Sequence, residues 1–312
     1  MIYSIDNMAK NSKPKIIVIL GQTATGKSDF AVEVAKKING KIISADSRQV
    51  YKGMDLGTGK VTKKEMEGIP HFMLDIVSPK NKTFSVSQFQ KMANKKIKEI
   101  LDKKNIPIVC GGTGYYIDSL INSLPFPEVL PNKKLRRELE TKDATELFGI
   151  LKKIDKNRAK NIDAKNKVRL IRAIEIAQEL GEVPKLKKTK KEFETIKIGL
   201  AFPDNELKRR IYERLIKRIE KGMIKEVEKL HESGVSWKKL ESFGLEYRYV
   251  SFYLQKKMTK EEMIEKLFSA IWHFAKRQKT WWKKDKEIIW INPSKKKDIN
   301  TALNKISDFL KK

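Results

Sequence analysis

Cysteine is almost absent from the chain. Its 312 residues include one, Cys110, which excludes an internal disulfide and a multi-cysteine zinc site. Three histidines, His71, His231 and His273, are too few for a metal-ligand cluster, and none is assigned chemistry. Any metal is therefore expected on oxygen. No apolar run approaches the roughly 20 residues that span a bilayer, and residues 1–15 lack the apolar centre of a secretion signal. The chain reads as cytoplasmic, without a membrane partner, and residues 1–14 as a polar leader with Met8 as an alternative start. Internal repeats are missing too, which excludes a solenoid. Acidic residues are scarce beside basic ones: 39 Asp and Glu face 68 Lys and Arg, for a net charge of +29. Such a field favours a polyanion, with RNA ahead of DNA. The competing reading is compositional, an excess made mostly of the lysine that an AT-rich genome encodes.

What is present begins with Gly21-Gln22-Thr23-Ala24-Thr25-Gly26-Lys27-Ser28, preceded by an apolar run over 16–20 and followed by a helical pattern over 30–38. Strand, glycine loop and helix in that order make an anion cradle. Successive N–H groups and the helix N-terminus point at the anion, Lys27 adds charge, and Ser28 offers a hydroxyl to Mg²⁺. The loop alone does not distinguish ATP from another diphosphate, and the bland alternative is a glycine-rich turn. A second strand over 41–44 leads into Asp46-Ser47-Arg48-Gln49-Val50-Tyr51. Loops at the carboxyl ends of parallel strands form the ligand crevice, so Asp46 is expected to face the phosphate loop as a catalytic carboxylate. Its competing role is turn former.

Further along, Gly57-Thr58-Gly59-Lys60 reads as a flexible loop, 71–76 as a strand, 85–104 as a helix, and 106–110 as a strand. That strand ends in Gly111-Gly112-Thr113-Gly114 where a motor-type NTPase more often places a metal-orienting Asp. From 131 to about 191 the pattern is only helical and heavily charged, with Arg169 and Arg172 one turn apart and the apolar residues between them facing inward. A strand returns over 196–202. Residues 207–230 read as one long helix with Arg210, Arg214 and Arg218 in a stripe, solvated unless it lies beside the phosphate loop, where arginine would steady a leaving phosphate. A helix over 237–253, another capped by Thr259 and Glu262 and running to 284, a strand over 287–291 and a helix over 298–310 complete the chain. Trp272, Trp281, Trp282 and Trp290 are read as core. The expected fold is α/β, a P-loop NTPase-like parallel sheet flanked by helices, with a catalytic core of 1–125 and 195–312 and an all-α insertion at 126–194.

Five motifs in chain order resemble those of bacterial tRNA dimethylallyltransferases, the IPP transferase family. They are the phosphate loop; Ser44-Ala45-Asp46-Ser47-Arg48-Gln49-Val50-Tyr51; Gly111-Gly112-Thr113-Gly114-Tyr115-Tyr116; Arg169-Leu170-Ile171-Arg172-Ala173-Ile174-Glu175; and Ala275-Lys276-Arg277-Gln278-Lys279-Thr280-Trp281. The resemblance implies transfer of a dimethylallyl group from its diphosphate to N6 of the adenosine 3′ to the anticodon, in tRNAs reading codons that begin with U. It gives Gly21 to Ser28 to the diphosphate, with Thr23 near the bridging oxygen, Arg214 reaching the diphosphate and Ser28 on Mg²⁺. Asp46 becomes the base. Ser47, Arg48 and Gln49 would hold the adenine and its neighbours, while Thr113 and Arg136 would touch the tRNA. Val168, Arg169, Leu170, Ile171 and Arg172 would grip the anticodon stem-loop from the insertion. Lys276, Arg277, Gln278, Lys279, Thr280, Trp281, Trp282 and Lys283 would do so from the core, in a monomer. The chain departs from the family at Phe72, where a second His is usual, at Ile271-Trp272-His273, where Thr-Arg-Gln is usual, and between Gly244 and Arg248, a longer stretch than the usual Gly-Tyr-Arg. The insertion's usual Asn-Asp-Pro also lacks its Pro. Two other readings stand beside it. One is a P-loop small-molecule kinase or adenylate prenyltransferase with the helical region as a lid; the other is a GTPase-like RNA-binding module, disfavoured because no Asn-Lys-x-Asp occurs.

Overall fold

The structure is a computed structural model and describes residues 13–80, 84–185 and 191–312. Most of the polar leader expected at 1–14, and residues 186–190 of the helical stretch, lie outside the described residues. The elements in chain order are β1 (Lys15–Gly21), α1 (Lys27–Ile38), β2 (Gly40–Ser44), α2 (Lys63–Met66), β3 (His71–Phe72), α3 (Val86–Asp102), β4 (Ile106–Gly111) and α4 (Gly114–Ile121). Four helices follow: α5 (Lys133–Glu140), α6 (Ala144–Ile154), α7 (Lys156–Ala159) and α8 (Lys167–Leu180). The chain then forms β5 (Glu194–Leu200), α9 (Asp204–Glu220), α10 (Met223–Glu232), α11 (Trp237–Phe243), α12 (Leu245–Leu254), α13 (Lys260–Trp282), β6 (Ile288–Ile291) and α14 (Lys296–Lys311).

The strands make one parallel sheet in the order β3-β2-β4-β1-β5-β6. β1 is buried along its whole length because both sheet faces are covered. Ile16, Val18 and Leu20 point to one side, into a cluster with Phe89 and Ile97 of α3 and Leu120 of α4. Ile17 and Ile19 point to the other, against Phe30 and Val34 of α1 and Ile306 of α14. A third cluster joins α9 to α13 around Leu207, Leu215, Val227, Tyr247 and Leu267. Capping boxes start α3 at Ser85 with Gln88 and α13 at Thr259 with Glu262, so each side chain satisfies an otherwise orphaned N–H.

The described residues fall into two compact units, one within Met1–Ser123 and Lys190–Lys312, the other within Leu124–Thr189. The second unit has its own core, in which Leu139, Leu147, Leu151, Leu170 and Ile174 meet. Three expected elements differ from those observed. The stretch 207–230 is two helices because the chain turns at Gly222 (φ 99°), and 237–253 is two because it turns at Gly244 (φ 77°), backbone conformations that end a right-handed helix. β3 stops after Phe72 because Met73 (φ 66°) and Asp75 (φ 54°) leave the extended region. Trp281 and Trp290 are 45% and 42% exposed rather than core, whereas Trp282 is buried.

Candidate functional site

In register, Ser44 pairs with Cys110 and Leu20 with Gly111, so the carboxyl ends of β2, β4 and β1 lie side by side. A cavity of about 410 Å³ opens there, lined by Thr23 to Ser28, Asp46, much of the 55–62 segment and Arg210, Arg214 and Arg218 of α9. This is the crevice that parallel α/β sheets use for ligands.

The phosphate loop is held from behind. The Gln22 side-chain amide donates to the Ala275 carbonyl (3.1 Å), and the Thr23 N–H donates to Gln278 Oε1 (2.8 Å). Gln278 Nε2 donates in turn to the Gly112 carbonyl (2.7 Å). Gln278 is 6% exposed and so belongs to the scaffold of the loop rather than to an RNA surface, a correction to its expected role. The Thr25 hydroxyl (2.8 Å) and Lys27 Nζ (2.6 Å) both donate to the Gln22 carbonyl. Gln22 and Thr25 are buried, so their side chains are committed to the loop itself and only their backbone is open to a ligand. Desolvation lowers the Lys27 ammonium to about 8, and Cys110, whose own thiol burial pushes up to about 12, lies against the Lys27 carbonyl at 3.6 Å.

Of the two roles weighed for Asp46, the structure shows the turn former, and it places the same carboxyl group in the cavity wall. Its Oδ1 accepts the N–H of Arg48 (2.8 Å) and of Gln49 (3.3 Å), which builds the turn and fixes the carboxyl group. Among the described residues Oδ2 accepts no hydrogen bond, and Asp46 lines the cavity. The adjoining Ser47 N–H donates to Thr113 Oγ1 (3.1 Å), and the Thr113 N–H to the Ala45 carbonyl (3.2 Å), so the Gly-Gly-Thr-Gly turn buttresses this segment. Gln49 takes the Ser44 hydroxyl on Oε1 (3.1 Å) and reaches the Gly59 carbonyl through Nε2 (3.4 Å). Arg48 lies over the Phe243 ring, 5.9 Å from its centroid.

The arginine stripe lies beside the phosphate loop rather than in open solvent. Arg210 Nε donates to the Ala24 carbonyl (3.1 Å), and Arg218 pairs with Glu246 (2.8 Å), their side chains 12% and 11% exposed. Among the described residues Arg214 Nη2 donates only to a neutral group, the Gly59 carbonyl (3.2 Å). Desolvation, and then the neighbouring Arg218, lowers Arg214 to about 10, still fully charged at neutral pH. The stripe therefore keeps one cation without a carboxylate partner among the described residues, facing the phosphate cradle. A Cβ on Gly59 would displace both guanidinium tips, and its φ of 60° is a left-handed conformation that favours glycine at this point of the wall.

The 57–60 loop, expected to be flexible, is instead tied down. Lys60 Nζ is buried and donates to the Tyr51 carbonyl (3.0 Å), Asp55 (2.6 Å) and Asp75 (2.6 Å). Asp55 belongs to the same turn as Lys60, but Tyr51 and Asp75 lie 9 and 15 residues away, which local sequence does not signal. Among the described residues no group of three or more His, Cys, Asp or Glu is placed to hold a metal, and the hard oxygens of Ser28 and Asp46 in the cavity are what a magnesium ion would find.

The remaining expected RNA contacts divide. At the end of α13, Lys276, Arg277, Lys279, Thr280, Trp281 and Lys283 are exposed; Lys279 pairs with Asp204 (2.9 Å), and Trp281 Nε1 donates to Asp118 (2.8 Å). Trp282, 2% exposed, is core, a correction. In the helical unit Val168 is 78% exposed and Arg169 is exposed, whereas Leu170 and Ile171 are core and cannot reach RNA. Arg136 grips Glu175 with two bonds (2.7 and 2.6 Å), and Arg172 joins the same carboxylate (3.2 Å) and the Val129 carbonyl (2.9 Å). Glu175 is 3% exposed, so both arginines are committed to neutralising a buried charge instead of standing free.

A phosphate loop facing a fixed carboxylate and a desolvated arginine, at the carboxyl edge of a parallel sheet, defines a P-loop-type group-transfer enzyme. The profile of the IPP transferase family matches residues 49–285. The chain belongs to that family. It is 43% identical over 295 residues to tRNA dimethylallyltransferase 2 of Treponema denticola, covering 93% of this chain and 98% of that one. To the tRNA dimethylallyltransferase of Acetivibrio thermocellus it is 41% identical, covering 89% and 91%. Among solved structures it is similar to the tRNA isopentenylpyrophosphate transferase of Bacillus halodurans (34% identity, TM-score 0.73, 96% of this chain and 97% of that one). It is also similar to a eukaryotic dimethylallyltransferase acting on tRNA (27% identity, TM-score 0.81, 96% and 80%).

Proposed function

We propose that the chain transfers the dimethylallyl group of dimethylallyl diphosphate to N6 of the adenosine on the 3′ side of the anticodon, in tRNAs reading codons that begin with U. The observation that carries this is the placing of Asp46, the phosphate cradle and Arg214 around one cavity, in a chain whose relatives bear the name of that activity. The N6 lone pair is delocalised into the adenine ring, which makes it a weak nucleophile. As the bond from N6 to the allylic carbon forms, the carbon–oxygen bond to diphosphate breaks and its electron pair leaves with oxygen. Asp46 takes the N6 proton, a contribution typically worth roughly 10²–10⁴ in rate. The charge growing on the leaving oxygen is met by the loop N–H groups, Lys27 and Arg214, with the Thr23 hydroxyl at the bridging oxygen. Ser28 would hold Mg²⁺, which when bound supplies further neutralisation of the diphosphate. An adenine reaches such a cavity at least cost from a single-stranded loop, where little stacking is lost.

The deciding experiment supplies labelled dimethylallyl diphosphate, bulk tRNA and ATP together. Label in tRNA that digests to a prenylated adenosine is the expected result. Label appearing in free adenylate, or ATP consumed to phosphorylate a small molecule, would favour the kinase or adenylate alternatives instead.

The helical unit is assigned in the same proposal to the anticodon stem-loop, supported by the exposed Val168 and Arg169 at the start of α8. Arg169→Glu is expected to weaken tRNA binding and, if Arg169 meets one phosphate, to lower the slope of log affinity against log salt by about 1. Donor binding should stay as it was. Unchanged tRNA affinity across a salt titration would remove Arg169 from the interface.

A further inference from the structure

Glu226, on α10, looks in sequence like any other glutamate of a charged helix, yet its carboxylate is filled with donors from the cavity wall. Oε2 accepts the backbone N–H of Asp55 (2.9 Å) and Leu56 (2.6 Å); Oε1 accepts the N–H of Gly57 (2.9 Å) and the Tyr247 hydroxyl (2.8 Å). Three successive N–H groups converging on one anion form a nest, here occupied by the protein's own carboxylate. Bonds to an ionised acceptor are stronger than neutral ones, so the segment is firmly pinned. From the pinned residues the chain turns through bonds from the Gly59 N–H to the Leu56 carbonyl (3.1 Å) and from the Lys60 N–H to the Asp55 carbonyl (2.9 Å). The turn presents the Gly59 carbonyl to Arg214 at 3.2 Å.

The other end of the clamp is equally fixed. Tyr247 is 2% exposed within the cluster joining α9 to α13, and its neighbour Glu246 holds Arg218 at 2.8 Å. Two consecutive residues of α12 thus secure the clamp and Arg218, while Arg214 takes its orientation from the Gly59 carbonyl.

We propose that Glu226 is a positioning residue for prenyl transfer, resting on the reading above that Arg214 faces the leaving diphosphate: by pinning 55–57 it sets the Gly59 carbonyl, which aims the Arg214 guanidinium at the phosphate cradle. A carboxylate suits this place because all four of its neighbours are donors. An amide in the same volume would turn its own N–H groups against at least one of them. Leu56 packs against the α9-to-α13 cluster and limits how far the loop moves, so a small misplacement of Arg214 is expected rather than unfolding.

The test is a cycle of Glu226→Gln, Arg214→Ala and the double variant, measured as single-turnover transfer with saturating tRNA, together with melting temperatures and tRNA affinity. Glu226→Gln is expected to slow transfer by about 10- to 100-fold, the range that a misplacement near 1 Å produces, with tRNA affinity unchanged. In the Arg214→Ala background it should add little, because residues acting as one unit are not additive. Tyr247→Phe removes one donor and keeps the packing, so its loss should be smaller and should vanish in the same background. This second cycle decides the matter if Glu226→Gln does not fold. Full activity of Glu226→Gln, or losses that multiply in the double variant while Arg214→Ala alone is impaired, would overturn the role of Glu226 only. Full activity of Arg214→Ala would overturn the reading of Arg214 and the inference with it.

Discussion

Asp46→Asn is expected to slow the chemical step by about 10²–10⁴ while donor binding and tRNA binding stay near those of the unaltered protein. The substitution suits the site because the asparagine carbonyl can still accept the N–H groups of Arg48 and Gln49 that Oδ1 now accepts at 2.8 and 3.3 Å. The turn is therefore kept and only the proton acceptor is lost. A carboxylate beside a phosphate loop has a second occupation in other P-loop enzymes, the orientation of magnesium through water. The two roles separate in a magnesium titration of single-turnover transfer. A base that is missing stays missing at any concentration of the metal, so the defect should be flat. Recovery of the rate at raised magnesium would identify Asp46 as part of the metal site and withdraw it from proton transfer.

Arg214→Ala should cost about 10²–10³ in turnover, the range found when a preorganised donor to developing charge is removed. Arg214 is singled out from its row by what its neighbours do. Arg218 is neutralised by Glu246 at 2.8 Å, and Arg210 lies over the Phe202 ring at 4.5 Å and 3.9 Å from Glu206, whereas among the described residues Arg214 donates only to a carbonyl. A desolvated guanidinium without a carboxylate interacts more strongly with an incoming anion than a screened surface arginine does. Its largest effect belongs where negative charge is greatest, on the departing diphosphate, so turnover should fall more than donor affinity. Arg214→Lys keeps a charge but loses the planar fork, and an intermediate rate is expected from it. A fall in donor affinity alone, with turnover intact, would show that Arg214 binds the ground state and nothing more.

Some of this was readable from the sequence because the signals are local. Gly21 to Ser28 encodes its own backbone path, and the capping pairs Ser85 with Gln88 and Thr259 with Glu262 are three residues apart. The parallel sheet, buried on both faces, appears as continuous apolar runs such as β1. The errors also have local causes. Helical periodicity continues on both sides of Gly222 and Gly244, so the pattern gave no sign that the chain turns between the segments. Within Arg169-Leu170-Ile171-Arg172 the basic spacing was visible, as was Glu175 three residues after Arg172, but that Glu175 is buried and also draws in Arg136 depends on how the helical unit packs.

By itself the sequence determined the strand, glycine loop and helix of the phosphate cradle, the carboxylate at the end of β2 and the family, because each rests on residue types at short, fixed spacings. Tertiary structure alone decided how those parts are used. Thr23 meets Gln278 across 255 residues, and Asp55 meets Glu226 across 171. No periodicity encodes a hydrogen bond between such distant positions. The same three arginines, left in sequence between a solvated stripe and a row beside the phosphate loop, become one bound to that loop, one neutralised by Glu246 and one without a carboxylate partner among the described residues. Folding the helix against the 55–60 wall produces that division, since the wall supplies the carbonyl for Arg214 and a glycine small enough to let it approach.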